Sequence, residues 1–282
     1  MSNATILISA INGFVATDIA LAFLNAGYRV RGTVRSQEKA DAWLALPAFK
    51  DHTDSGKLKV VIVKDITPDD AFVGEPLDGV DYFIHTPAQL PDWRPGVTQY
   101  PQCKKVIVLG SISGAVDFSV PKHDAPVNGA SWNPRDFEYG KNAPHPLFSY
   151  STSKKLADAA AWKYMEDTKP HFALVNMLPG FIYGPSHGHD RFGVHNSSQQ
   201  WLAGPLFRQD WNFKTASGGP TLVDLRDLSI AFIKAVERDE ANGQRLVLSG
   251  MKKYVVYRIL ICECVMDGGF EANEIFLVEV VS

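Results

Sequence analysis

Residues 5–35 read TILISAINGFVATDIALAFLNAGYRVRGTVR, and this stretch decides the fold. Thr5 to Ser9 is a short apolar run, and Asn12-Gly13 breaks it. Ile19, Ala20, Phe23 and Leu24 then recur at helical spacing on one face, Gly27 ends the helix, and Tyr28 to Val34 reads as a second strand closed by Arg35. The unit is strand, helix, strand. The turn between its first two elements presents backbone N–H groups and a helix amino terminus, which is where a pyrophosphate binds in such units.

The same alternation continues outward. Ser36 is a fitting N-cap for a helix through Leu44, and Leu58 to Val63 reads as a third strand. Val80 to His85, Lys105 to Leu109 and His171 to Met177 supply three more apolar runs, the last after a helix from about Ser149 to Thr168 that stops before Pro170. Strands apolar on both faces and alternating with helices predict an α/β fold, a doubly wound parallel sheet of Rossmann type. One connection departs from the pattern: Thr86 to Lys104 contains Pro87, Pro91, Pro95 and Pro101, so no full crossover helix is expected there. Leu178 to Gly219 is loop-rich, as befits a substrate-binding region at the carboxyl ends of the strands. Asp224 caps a helix with Leu225, Leu228, Phe232, Ala235 and Val236 on one face, and Arg245 to Leu248 follows as a strand. Residues 1–177 are therefore read as the nucleotide-binding domain with its catalytic helix, and 178–282 mostly as the substrate-binding region, with an atypical tail from 251.

Composition narrows the function classes. A chain of 282 residues buries a substantial core. Its formal net charge of −3, without any long Lys/Arg run, gives no footprint for nucleic acid. No secretory signal or membrane-length apolar stretch is read, so a small-molecule substrate and a cytoplasmic setting are expected, with oligomeric state open. Cys103, Cys262 and Cys264 lack the spacing of a disulfide framework or a zinc site; reduced thiols and no metal are expected.

Arg35 ends the second strand at the place where an acidic residue would accept the ribose hydroxyls of NAD, and Lys39 lies about a helical turn further on. Two cations suit a 2′-phosphate, so NADP(H) is favoured. Asp65 ends the third strand and reads either as an acceptor for the adenine amino group or as a simple helix cap. Tyr150-Ser-Thr-Ser-Lys154 sets a phenol and an ammonium on one helical face. The ammonium is expected to lower the phenol pKa and ready it to protonate a carbonyl oxygen. Ser111 and Ser113 follow the fifth strand, where a hydroxyl would polarise that carbonyl.

With these residues in view, the chain resembles the extended short-chain dehydrogenase/reductase family, near the dihydroflavonol, cinnamoyl-CoA and fungal ketone and methylglyoxal reductases. The resemblance is carried by Asn12 to Ala16, Val30 to Arg35, Asp65-Ile66, His85-Thr86, Tyr150 to Ala157, Leu178 to Pro185 and Leu222 to Asp227, in family order up to about Gly250. It implies that Gly13, Phe14 and Val15 meet the pyrophosphate and Arg35 and Lys39 the 2′-phosphate. By the same resemblance Asp65 and Ile66 meet the adenine, Thr86 the ribose side, and Pro179 to Ile182 the nicotinamide. Tyr150 and Lys154 would then be catalytic and also hold coenzyme. Ser111 aligns with the catalytic serine, with Ser113 as runner-up, in a segment that usually reads Thr-Ser-Ser and here reads Leu109-Gly110-Ser111. Ala10 stands where the family has its first glycine, a methyl group expected to loosen coenzyme binding.

The function implied is hydride transfer from NADPH to an aldehyde or ketone, or the reverse alcohol oxidation. Two other readings stand beside it: a non-catalytic nucleotide-binding relative, and a cofactor-independent isomerase or dehydratase using the same tyrosine. Trp132, Phe148, Phe181, Phe192 and Trp201 point to an apolar ligand or to packing.

Overall fold

The computed structural model describes residues 4–87, 93–120, 126–188 and 222–250. The first unit forms as its sequence requires: β1 (Thr5–Ile8), α1 (Phe14–Asn25) and β2 (Arg29–Val34). Next come α2 (Gln37–Leu44), whose cap Ser36 accepts from the Lys39 N–H, the short α3 (Lys50–Asp54), β3 (Leu58–Ile62) and β4 (Tyr82–His85). Among its described residues the proline-rich connection holds the six-residue α4 (Trp93–Thr98) before β5 (Lys105–Leu109). Then follow α5 (Phe137–Lys141), the long α6 (Pro146–Thr168), β6 (Ala173–Pro179), β7 (Phe181–Tyr183), β8 (Leu222–Asp224), α7 (Leu225–Glu237) and β9 (Arg245–Leu248).

Seven strands form one parallel sheet in the order β3-β2-β1-β4-β5-β6-β9, and β7 and β8 pair parallel beside it. This is a Rossmann-type α/β fold. Alternate strand residues serve opposite faces. Ile6, Ile8, Ile107, Val175 and Met177 join Phe23 of α1 and Phe232 of α7 in one core, whereas Leu7, Phe83, Val106, Val108 and Leu174 join Ala161 of α6 in the other. The boundary expected between 177 and 178 falls inside β6, and α7 and β9 return to the main sheet.

Strand order reverses at β1, which lies between β2 and β4. In open α/β sheets the crevice beyond the carboxyl ends of the strands at such a reversal is the ligand site. Ser9, Arg35 and Thr86 follow directly on β1, β2 and β4 at this edge, and Asp65 and Ser111 lie within three residues of the ends of β3 and β5. No described helix is long and apolar enough to cross a membrane. Cys103 is buried, with its thiol pushed up to about 12 mainly by that burial, and the described residues contain no metal-binding cluster. Cys262 and Cys264 lie outside the described residues, as do Phe192, Trp201 and the tail from 251.

Candidate active site

The turn after β1 is held by β2. The Ala10 N–H donates to Thr33 Oγ1 at 3.1 Å, the Ile11 N–H donates to the Thr33 carbonyl at 2.9 Å, and the Gly13 N–H returns to the Ala10 carbonyl at 2.9 Å. These bonds leave Ala10 at φ 49°, in the left-handed region. Gly13 is the N-cap of α1; it makes no side-chain cap bond, and the first turn of the helix carries no acidic residue.

Arg35 and Lys39 are exposed at the neighbouring edge, and the nearby Asp65 is occupied by its own loop. Its Oδ1 accepts from the Thr67 N–H at 2.9 Å and hydroxyl at 2.8 Å. Those donors, with a smaller contribution from Arg35, lower its pKa. Asp65 therefore makes an Asx-type turn and caps no helix, which corrects one of its two expected roles. Ile66 is buried beside it. Thr86 ties β4 to β1, its hydroxyl donating to the Ser9 carbonyl at 2.6 Å and its N–H to Ser9 Oγ at 3.1 Å. Pro179 ends β6 and Ile182 sits half-buried in β7. An uncapped helix end beside two exposed cations, with no carboxylate at the Arg35 position, fits a dinucleotide carrying an extra phosphate.

The catalytic candidates meet at the start of α6. His145 caps that helix, Nδ1 accepting from the Leu147 N–H at 3.2 Å, and Pro146 occupies its first position. Tyr150 and Lys154 follow one turn apart, with Lys154 Nζ 5.8 Å from the centroid of the Tyr150 ring. Ser111 caps the short 3-10 turn after β5, its Oγ accepting from the Ser113 N–H at 3.2 Å, and its side chain lies near enough to the Tyr150 phenol to lower its pKa. Ser113 is 5% exposed inside that turn, and its carbonyl accepts from Asn133. Of the two serines it is Ser111 that meets Tyr150.

The electrostatics differ from the sequence expectation. Tyr150 is 43% exposed as a residue, yet desolvation of its phenol raises the pKa, an effect that Ser111 only partly opposes, and burial lowers that of Lys154. The resting phenol is therefore not depressed by its lysine.

A buried polar frame stands behind these groups, and the sequence reading missed it. Asp158, one turn beyond Lys154, accepts from Asn176 Nδ2 of β6 and from Arg245 of β9, whose Nε lies at 2.9 Å. Arg245 also donates to the Gly129 and Ser131 carbonyls, each at 2.6 Å, and stacks 3.6 Å from the Trp132 ring centroid. Trp132 thus packs on a structural cation. On the coenzyme side, Asp18 of α1 accepts from Ser186 Oγ at 2.7 Å and pairs with His187 Nδ1 at 2.7 Å, tying the chain after β7 to α1.

No protein-family model matches the chain. Its sequence is 31% identical over 280 residues to an uncharacterized oxidoreductase of Schizosaccharomyces pombe, covering 89% of this chain and 79% of the relative. It is 32% identical over 282 residues to a Candida albicans protein named as an NADPH-dependent methylglyoxal reductase, covering 88% and 79%. The chain belongs to the extended short-chain dehydrogenase/reductase family. A ketoreductase of Aspergillus niger is a more distant relative, 27% identical over 85% of this chain and 76% of its own. Among solved structures, a reductase engineered for asymmetric catalysis has a TM-score of 0.71 at 26% identity, covering 89% of this chain and 80% of that one. The NADPH complex of Gre2 from Candida albicans has a TM-score of 0.72 at 23% identity, over 87% and 78%, a likeness of fold. This short-chain dehydrogenase/reductase is accordingly an oxidoreductase.

Proposed function

We propose that the chain reduces an aldehyde or ketone with NADPH, and oxidises the corresponding alcohol in reverse. The observation that carries this reading is the Tyr150 phenol beside Ser111, with the Lys154 ammonium 5.8 Å from the ring centroid one helical turn away. The coenzyme supplies a hydride when bound. The chain's own residues supply everything else. Ser111 orients the substrate carbonyl, and Tyr150, whose pKa is raised above the ordinary phenol value, donates its proton to the carbonyl oxygen as negative charge develops there. Lys154 stabilises the resulting phenolate and holds the nicotinamide ribose hydroxyls. Gly13, Phe14 and Val15 bind the pyrophosphate at the α1 amino terminus, Arg35 and Lys39 the 2′-phosphate, and Asp65, Ile66 and Thr86 the adenosine side. Pro179 and Ile182 flank the nicotinamide.

The relatives support this reading, since the Candida albicans protein is named for NADPH and methylglyoxal and the Aspergillus niger one as a ketoreductase. A small carbonyl compound is the proposed substrate class. A cytoplasmic setting, and a substrate-binding role for the residues after β6, belong to the same proposal. The test is to mix the protein with NADPH and a panel of small aldehydes and ketones and follow loss of the coenzyme's absorbance. Turnover with NADPH and a much weaker response with NADH are expected. Tight NADPH binding without oxidation by any member of the panel would favour the non-catalytic nucleotide-binding reading instead.

A further inference from the structure

The frame behind Lys154 holds a polar atom with nothing to bond. Asn176 is 2% exposed, and its Oδ1 is buried with no hydrogen-bond partner. The orientation of its amide is fixed by Asp158: a carboxylate only accepts, so the NH2 group must face it and the carbonyl oxygen must point away. On that other side is a small recess lined by Pro87, Gly110, Ser111, Lys154, Asp158 and Asn176 among others. Gly110 makes the arrangement possible, because a Cβ there would collide with Asn176 Oδ1 and press on Leu178. Any side chain larger than glycine at this position is incompatible with the asparagine as placed. Leaving a buried acceptor unsatisfied costs stability, so an oxygen held this rigidly calls for a donor.

The donor at hand is Lys154. Its side chain is buried, and no carboxylate among the described residues pairs with it: Asp158, the nearest on its own helix, is committed to Arg245 and Asn176. Tyr150 on α6 and Arg245 on β9 are the other titratable or charged groups around it, while β5 and β6 present only neutral side chains, Ser111 and Asn176, to the recess.

We infer that Asn176 is a positioning residue for Lys154, its carbonyl oxygen accepting through a recess water a hydrogen bond that holds the ammonium charged and aimed past Tyr150. A water in this place has the polar partners it needs in Nζ, Oδ1 and the Ser111 hydroxyl. The Asp158–Arg245 pair serves the same end by locking the amide. The inference rests on the proposed role of Lys154 but concerns the lysine itself.

It is tested on the full chain without coenzyme, with lysines labelled at Cε and the Lys154 signal assigned by its loss in Lys154→Arg. Asn176→Leu, which removes the acceptor at similar volume, should lower the Lys154 titration midpoint by about one pH unit. Gly110→Ala, which displaces the amide without touching it chemically, should do the same and serves if Asn176→Leu does not fold. Asn176→Asp, which keeps an acceptor, should leave the midpoint at or above that of the parent. A parent-like midpoint in folded Asn176→Leu or Gly110→Ala overturns the inference, because a merely structural role would lower stability without moving that lysine. Failure of the parent to oxidise NADPH would count against the proposed function and leave this measurement intact.

Discussion

Ala10 sits at φ 49° in a turn clamped to β2, and replacing it by glycine isolates the energy of that conformation. The left-handed region costs an L-residue ~1–2 kcal/mol, from Cβ crowding against the following carbonyl oxygen. Glycine has no such penalty but loses more chain entropy on folding, roughly 0.5–1 kcal/mol. The difference favours Ala10→Gly by about 0–1.5 kcal/mol, centred at about 0.75 kcal/mol, a rise of about 1.5–3 °C in melting temperature at that centre for a chain of this size. Urea unfolding of the two proteins should show a higher midpoint for the variant at an unchanged slope. Ala10→Val, which puts a branched Cβ in the same strained backbone, should move the midpoint the other way and further. Because the strained φ already exists in the coenzyme-free chain, its relief changes both bound and free forms, and NADPH affinity should stay within about twofold. This replaces the expectation that glycine would tighten coenzyme binding. A destabilised Ala10→Gly would refute the argument by showing that the turn does not strain alanine; a fivefold gain in affinity would show that the turn rearranges on binding.

Arg35→Ala with Lys39→Ala should weaken NADPH by about tenfold or more while changing NADH by less than about twofold, measured by fluorescence titration, since each cation forms a charge-assisted bond only with the extra phosphate. Arg245→Met removes one side of a buried ion pair and leaves Asp158 uncompensated, so denaturant unfolding should register a loss of ~3–5 kcal/mol. Burial lowers the Lys154 pKa, so the ammonium is lost at a lower pH than that of an ordinary lysine. The alkaline limb of kcat/KM for reduction should therefore fall below the ~10.4 of an ordinary lysine, and a limb above that value would assign it to another group.

The sheet was legible because its strands are apolar on both faces and its helices on one, a pattern that Thr5 to Arg35 shows within one unit. Chain-local chemistry was equally plain: Ser36 and Asp224 cap the helices they precede, and among the described residues between Thr86 and Lys104 the proline-rich stretch forms a six-residue helix and no full crossover helix. The Tyr150 and Lys154 spacing gave their shared face. What remained hidden depends on residues distant in sequence. The direction of the Tyr150 pKa is set by burial, which a motif does not report. Arg245, read only as the first residue of a strand, reaches Asp158 across 87 positions. Asn176 did carry a signal, as a single amide in an otherwise apolar strand, and Gly110 another, as the small residue that accommodates it; each is intelligible only once β5 and β6 are neighbours.

The most direct test of the account is single-turnover oxidation of bound NADPH by a carbonyl substrate in Tyr150→Phe, which keeps the ring and removes the proton. The rate should fall by about 10² or more while NADPH affinity, set by the helix end and the two cations, changes little. A rate near that of the parent would contradict the assignment of Tyr150 as the proton donor and, with it, the mechanism.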